Sequence, residues 1–237
     1  MLGTLPGDAL QAEQSDPQEA ARYALLQRLA PALQHHMMGQ FQSMGMIAAM
    51  MEKRLQSADP DLASVRGDCA SLGSVSQTAV TSIINLMSWI EPNPAAAMRF
   101  DAGVRECLGL LATQFRFKGF VIVNEVPEIG VAVSTRALRS VFSATLIALS
   151  DRSQAPADLV IQAHATPDGV AVSVTLRASE RTIKNIYSTA YRPLTWRDVQ
   201  SLATADDVKL THDQTGAQLI FSHAHEATDP DFPDAGG

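Results

Sequence analysis

From Ala30 onward the chain follows a frame of alternating steps of three and four residues: Ala30, Leu33, Met37, Gln40, Met44, Ile47 and Met51, with Leu26, Leu29 and Phe41 widening the apolar stripe. That spacing keeps one side of an α-helix apolar, so a long amphipathic helix is predicted. Asp16 fits its N-cap, Pro17 its first position, and Glu19 completes a capping-box pattern. Its end is predicted near Gln56, with a kink or break at Pro31, because proline removes a backbone donor and its ring clashes with the preceding turn. Asp59 and Pro60 then read as the cap and first residue of a second helix, whose frame runs Leu62, Val65, Cys69, Leu72, Ser76, Ala79, Ile83, Leu86 and Ile90. Helices joined by so short a loop pack as antiparallel neighbours. One partner helix does not cover either stripe, so the hairpin is expected to pair with a second copy in a four-helix bundle. The methionines of the seam read as core, since methionine fills irregular gaps.

After the turn signal Glu91–Pro94 the pattern changes. Phe100–Gln114 keeps helical spacing, Phe120–Val126 alternates like a strand, and Thr135–Asp151 is helical again. Leu159–Ala165 and Val170–Arg177 read as a β-hairpin turned by Pro167, Asp168 and Gly169. A helix over Thr195–Ala203 follows Pro193, and Val208–Thr211 and Ala217–Ser222 are two last strands turned by Asp213–Gly216. The predicted fold class is α+β: a helical hairpin over 16–92, then an α/β sandwich over 97–223 with one mixed sheet and helices on one face. Residues 1–15 are polar and 224–237 acidic and rich in Pro and Gly, so both are expected to be disordered.

Composition narrows the function classes. With 46% hydrophobic and 18% charged residues and a formal net charge of -7, the chain reads as globular and without the clustered Lys and Arg of a nucleic-acid surface. Its apolar runs are far shorter than the roughly 20 residues that span a bilayer, and no signal peptide is evident, so a cytoplasmic protein without a membrane partner is expected. Cys69 and Cys107 fall at apolar helix positions, as buried thiols do, without redox or zinc spacing. His223 and His225 lack a third ligand and read as a solvated chain end, and Asp206 and Asp207 read as turn caps. No metal site is expected.

The remaining chemistry lies in QHHMMGQFQSMGM, Gln34 to Met46. His35 sits midway in sequence between the core positions Leu33 and Met37, on the outward face of the helix. Adjacent histidines diverge around a helix and do not form the i, i+4 pair a metal would use, so His35 and His36 are not read as ligands. A histidine on the first helix of a hairpin, followed by helix, strand, helix, β-hairpin, helix and β-hairpin, is similar to the catalytic core of two-component sensor histidine kinases. The resemblance covers about residues 20–223. In that family apolar residues stand two, six and nine positions after the histidine and two and six before it. With His35 as that histidine these are Met37, Phe41, Met44, Leu33 and Leu29. His36 is the alternative, and fits less well because its six-on position is Gln42.

The departures from the family are as informative. His36 stands where the family carries an acid beside the histidine, and Gly39 where phosphatase-competent members carry a polar side chain. Leu138–Asp151 resembles the helix that holds two ATP- and magnesium-binding asparagines, but those positions are Ala144 and Ala148. VAVSVTLRASER lacks the Asp-x-Gly-x-Gly that binds adenine, and no glycine-rich lid precedes Leu194. The resemblance therefore implies an ATPase-like domain without nucleotide or other cofactor. The favoured function is a dimeric histidine phosphotransferase, exchanging phosphate between His35 and a response-regulator receiver domain that brings its own magnesium and lysine. Met38, Gly39 and Gln42 would contact that partner. The alternative is a non-catalytic kinase-like regulator that binds a receiver or a partner kinase. An ATP-dependent autokinase ranks last.

Overall fold

A computed structural model describes residues 16–90, 92–153, 156–180 and 191–224. The chain forms an N-terminal antiparallel helical hairpin followed by a mixed α/β sandwich. Helix α1 (Pro17–Leu55) begins at Asp16, whose carboxylate accepts the amide N–H of Gln18 at 3.0 Å, and ends at Gln56. The cap is thus made by Asp16, with Glu19 adding only favourable negative charge to the first turn. The frame residues Leu33, Met37, Gln40, Met44, Ile47 and Met51 are the less exposed positions, and Ala30 alone in the frame is exposed.

Helix α1 runs through Pro31, so the break offered as one outcome there does not occur. Buried Leu29 and Leu33 on either side of it hold the chain in register, so packing outweighs one lost backbone bond. Helix α2 (Leu62–Ile90) starts two residues later than predicted. Asp61 caps it in place of Asp59, accepting from the amides of Ala63 and Ser64 at 3.1 and 3.2 Å. Arg54 and Asp68 form an ion pair at 3.1 Å across the hairpin. Cys69, expected to be buried, is exposed on this helix, while Cys107 is buried.

The second unit is built from β1 (Ala97–Arg99), α3 (Phe100–Phe117), β2 (Val121–Asn124), β3 (Ala132–Ser134), and then a continuous helical run. That run comprises α4 (Thr135–Ala137), a π-helical segment (Leu138–Phe142) and α5 (Ser143–Arg152). β4 (Ala157–Thr166), β5 (Gly169–Ala178), α6 (Trp196–Ala205), β6 (Lys209–His212) and β7 (Gly216–Ser222) complete it. The main sheet has the order β2-β4-β5-β7-β6, with β2 parallel to β4 and the other pairs antiparallel. Its inner face meets α3, α5 and α6 in a core that includes Phe100, Leu111, Leu146, Leu159, Leu202 and Phe221. The opposite face carries polar side chains such as Gln162, His164 and Gln218, as alternation in a one-sided sheet requires.

The pattern missed the two-stranded sheet of β1 and β3, whose three-residue strands are too short to show a period. It also missed the role of His223. Its backbone bridges to Val133 and donates to the Asp168 carbonyl at 3.0 Å, so this residue seals the junction of the two sheets. Of the ends expected to be disordered, 1–15 and 224–237, all but Ala224 lie outside the described residues, His225 included; the Ala224 amide donates to the Ala132 carbonyl at 2.9 Å.

Gly169 opens β5 with φ of 154°, and a Cβ there would lie 1.9 Å from the Phe221 carbonyl oxygen of the neighbouring strand β7. Backbone cannot retreat from that contact as a side chain can. Gly169→Ala is therefore expected to lower stability by about 2 kcal/mol or more in urea unfolding. An unchanged midpoint would contradict the strand pairing.

Candidate functional site

Three polar ties fix α1 and α2 against the sandwich, and they set where the helix carries its histidines. The innermost lies at the end of α5. The Asp151 carboxylate accepts a bidentate pair from Arg28 of α1, through Nη1 and, at 2.7 Å, through Nη2. Lys118 Nζ donates to the Asp151 carboxylate at 2.7 Å and the Leu194 amide N–H donates to it at 3.0 Å, while Arg28 Nη1 also donates to the Arg192 carbonyl at 3.2 Å. Side-chain exposures of 1% for Arg28, 6% for Asp151 and 9% for Lys118 place all three charges out of water. Burial alone would raise the Asp151 carboxyl, but the bonds from Arg28 and Lys118 outweigh it and hold the group below the ordinary carboxylate value. For Lys118 burial prevails over the same pairing and lowers its ammonium.

The second tie is Asp206, just past α6. Its side chain, 1% exposed, pairs with Arg136 at 2.7 Å and Arg22 at 3.6 Å and accepts from Ser140 Oγ at 2.6 Å. Asp206 is therefore an anchor for α1 and the π-helical segment, and the reading of it as a mere turn cap is corrected. In the third tie Trp89 Nε1, at the end of α2, donates to Glu106 at 2.8 Å; Glu106 also pairs with Arg139, which stacks on the Trp89 ring. In the first turn of α6, Asp198 completes a capping box with Thr195, and the Arg192 guanidinium beside it holds its carboxyl down to about 2.

Beyond these ties α1 projects past the sandwich. Buried Leu25, Leu29 and Leu33 define its inner face, and His35 and His36 follow within the next turn, both exposed. Both line a groove of about 210 Å³ between α1 and α3, together with Leu110, Thr113, Gln114 and Phe117. Met38, Gly39 and Gln42 are exposed, and a Cβ at Gly39 would meet nothing within 4 Å, so this stretch of α1 is open to a partner.

Ala144 and Ala148 are fully buried within α5, packed with the sandwich core. Their methyl groups supply neither a metal ligand nor a hydrogen bond to a base. The segment 181–190, where a lid would stand, lies outside the described residues. Among the described residues no group of three or more His, Cys, Asp or Glu could hold a metal ion. The Cys107 thiol is pushed up to about 12 by burial, which makes it an unreactive core group. No helix among the described residues is long and apolar enough to cross a membrane.

No protein-family model matches the chain, and no curated protein matches it in sequence. Several solved structures match in fold. A histidine kinase from Acinetobacter baumannii, AdeS, aligns with 76% of this chain and 96% of its own at 12% identity and a TM-score of 0.44. The catalytic domain of the histidine kinase ThkA aligns with 54% of this chain and 94% of its own, at 14% identity and a TM-score of 0.40. ThkA in complex with the response regulator protein TrrA aligns over 89% of this chain and 65% of its own, at 13% identity and a TM-score of 0.40. The resemblance to histidine kinase cores is one of fold, and the chemistry has to be read from this chain's own residues.

Removing Arg28 would leave Asp151 buried with a single cationic partner. Arg28→Leu is expected to cost about 3 kcal/mol in urea unfolding. Because the Asp151 carboxyl is depressed in the folded state, its stabilisation is present above the unfolded value of about 4 and fades as pH falls through the folded one. Asp151→Asn should therefore be less stable than wild type at pH 7 and lose less stability on acidification. Parallel acid limbs for the two proteins would show that Asp151 is not ionised in the folded chain.

Proposed function

We propose that this chain is a dimeric histidine phosphotransferase of two-component signalling, in which His35 takes phosphate from, and returns it to, an aspartate of a receiver domain. The observation that carries the reading is the pairing of an exposed imidazole on α1 with alanines, buried and without polar atoms, at 144 and 148. A histidine that accepts phosphate from another protein needs access and an unprotonated ring nitrogen, and needs no nucleotide site of its own. The ring nitrogen attacks phosphorus as the bond to the receiver's carboxylate oxygen breaks, and that carboxylate leaves with the electron pair. Met38, Gly39 and Gln42 extend the exposed surface around His35 and suit the docking face.

The hairpin supports the dimer. Phe41, Met46, Met50, Ile84 and Met87 are 43–63% exposed on α1 and α2 of the single chain, an apolar surface that a second hairpin would cover. The proposed bundle is built from residues 16–92. A second reading, a non-catalytic regulator that binds a receiver or a kinase, is favoured by one feature: His36 occupies the place next to His35 where the resembling family has an acid.

The test is transfer from a panel of phosphorylated receiver domains to wild type, His35→Gln and His36→Gln, with acid-labile label as readout. Acid-labile label is expected on wild type and on His36→Gln and should be lost in His35→Gln. Tight binding of a receiver without label on any version would favour the regulator.

A further inference from the structure

On its own helix His35 has nothing to orient it. The residues one turn away on either side are Pro31, Ala32, Met38 and Gly39, none of which carries a side-chain oxygen or nitrogen. Across the groove stands Gln114 of α3. It is 8% exposed, set between the fully buried Leu111 and Phe115, and its Oε1 has no hydrogen-bond partner among the described residues. A buried amide oxygen without a donor costs folding energy, so its retention needs a reason. Within the groove the side chains that can donate to it are the two imidazoles and the Thr113 hydroxyl.

We infer that Gln114 is the positioning residue for the His35 imidazole. This rests on His35 being the phosphoacceptor. A ring N–H donated to Gln114 Oε1 keeps the proton on that nitrogen and turns the other nitrogen, unprotonated, toward the receiver. As the N–P bond forms and the receiver's carboxylate departs, positive charge develops on the ring, and the amide oxygen stabilises it through the same hydrogen bond. The amide does not take the proton, which passes to water afterwards. The sandwich, having no polar side chain at 144 or 148, would on this account still contribute one group to the chemistry of the helix it holds.

The experiment compares wild type, Gln114→Leu and Gln114→Glu in the full chain, each checked for folding by circular dichroism. Transfer from a phosphorylated receiver and the nitrogen-proton NMR signals of the histidine rings are measured on each. Gln114→Leu is expected to slow transfer about tenfold, the effect of one hydrogen bond, and Gln114→Glu, which keeps an acceptor, to restore it. In the NMR spectrum a protected ring N–H assigned to His35 should be present in wild type and absent in Gln114→Leu. A folded Gln114→Leu that transfers at the wild-type rate would overturn the inference while leaving His35 as acceptor. So would loss of a protected N–H that belongs to His36. Absence of label on wild type would overturn the phosphotransferase reading itself, and the role of Gln114 with it.

Discussion

The arrangement turns on the Asp151 carboxylate. It is out of water, and it is ionised because Arg28 from α1, Lys118 from the end of α3 and the Leu194 amide all point at it. A buried ion pair is a weak source of stability but a strong constraint, since any movement that separates its members strands a charge. Four segments distant in sequence meet at this one group, so the hairpin cannot slide along the sandwich without breaking it. The position of His35, two turns of helix beyond Arg28, follows from that constraint.

Asp206 and Glu106 extend the same logic toward the other end of the contact between the two units. Each is an acid that collects an arginine from the helical run after β3 and a group from the hairpin: Arg22 for Asp206, Trp89 for Glu106. The helical run from Thr135 to Arg152 thus serves as a mounting for the hairpin. Its inward positions are filled by apolar side chains, Leu138, Phe142, Leu146 and Ile147 beside Ala144 and Ala148, that complete the core.

Much of this was legible in the pattern of the chain. The helical frame through Leu33, Met37 and Met44, the α3 and α5 periods, and the turn at Gly169 all depend on near neighbours in sequence, where spacing carries the information. Asp206, Arg28 and Asp151 were not legible. Arg28 and Asp151 are 123 residues apart, Arg22 and Asp206 are farther still, and an isolated acid after a helix looks like any surface acid. Pro31 misled for a related reason: its local cost is real, but tertiary packing of Leu29 and Leu33 decides the outcome. The groove joining His35 to Gln114 was hidden for the same cause, because α3 is distant from His35 in sequence and no local signal marks Gln114. The exposure of His35 was legible from its place between Leu33 and Met37.

The most direct measurement is localisation of phosphate by mass spectrometry, under non-acidic conditions, after the protein has been exposed separately to phosphorylated receiver domains and to ATP with magnesium. The account predicts one phosphate on His35, in the peptide between Arg28 and Lys53, from a receiver and none from ATP. Phosphate at His35 from ATP alone, or at His36 from a receiver, would contradict it.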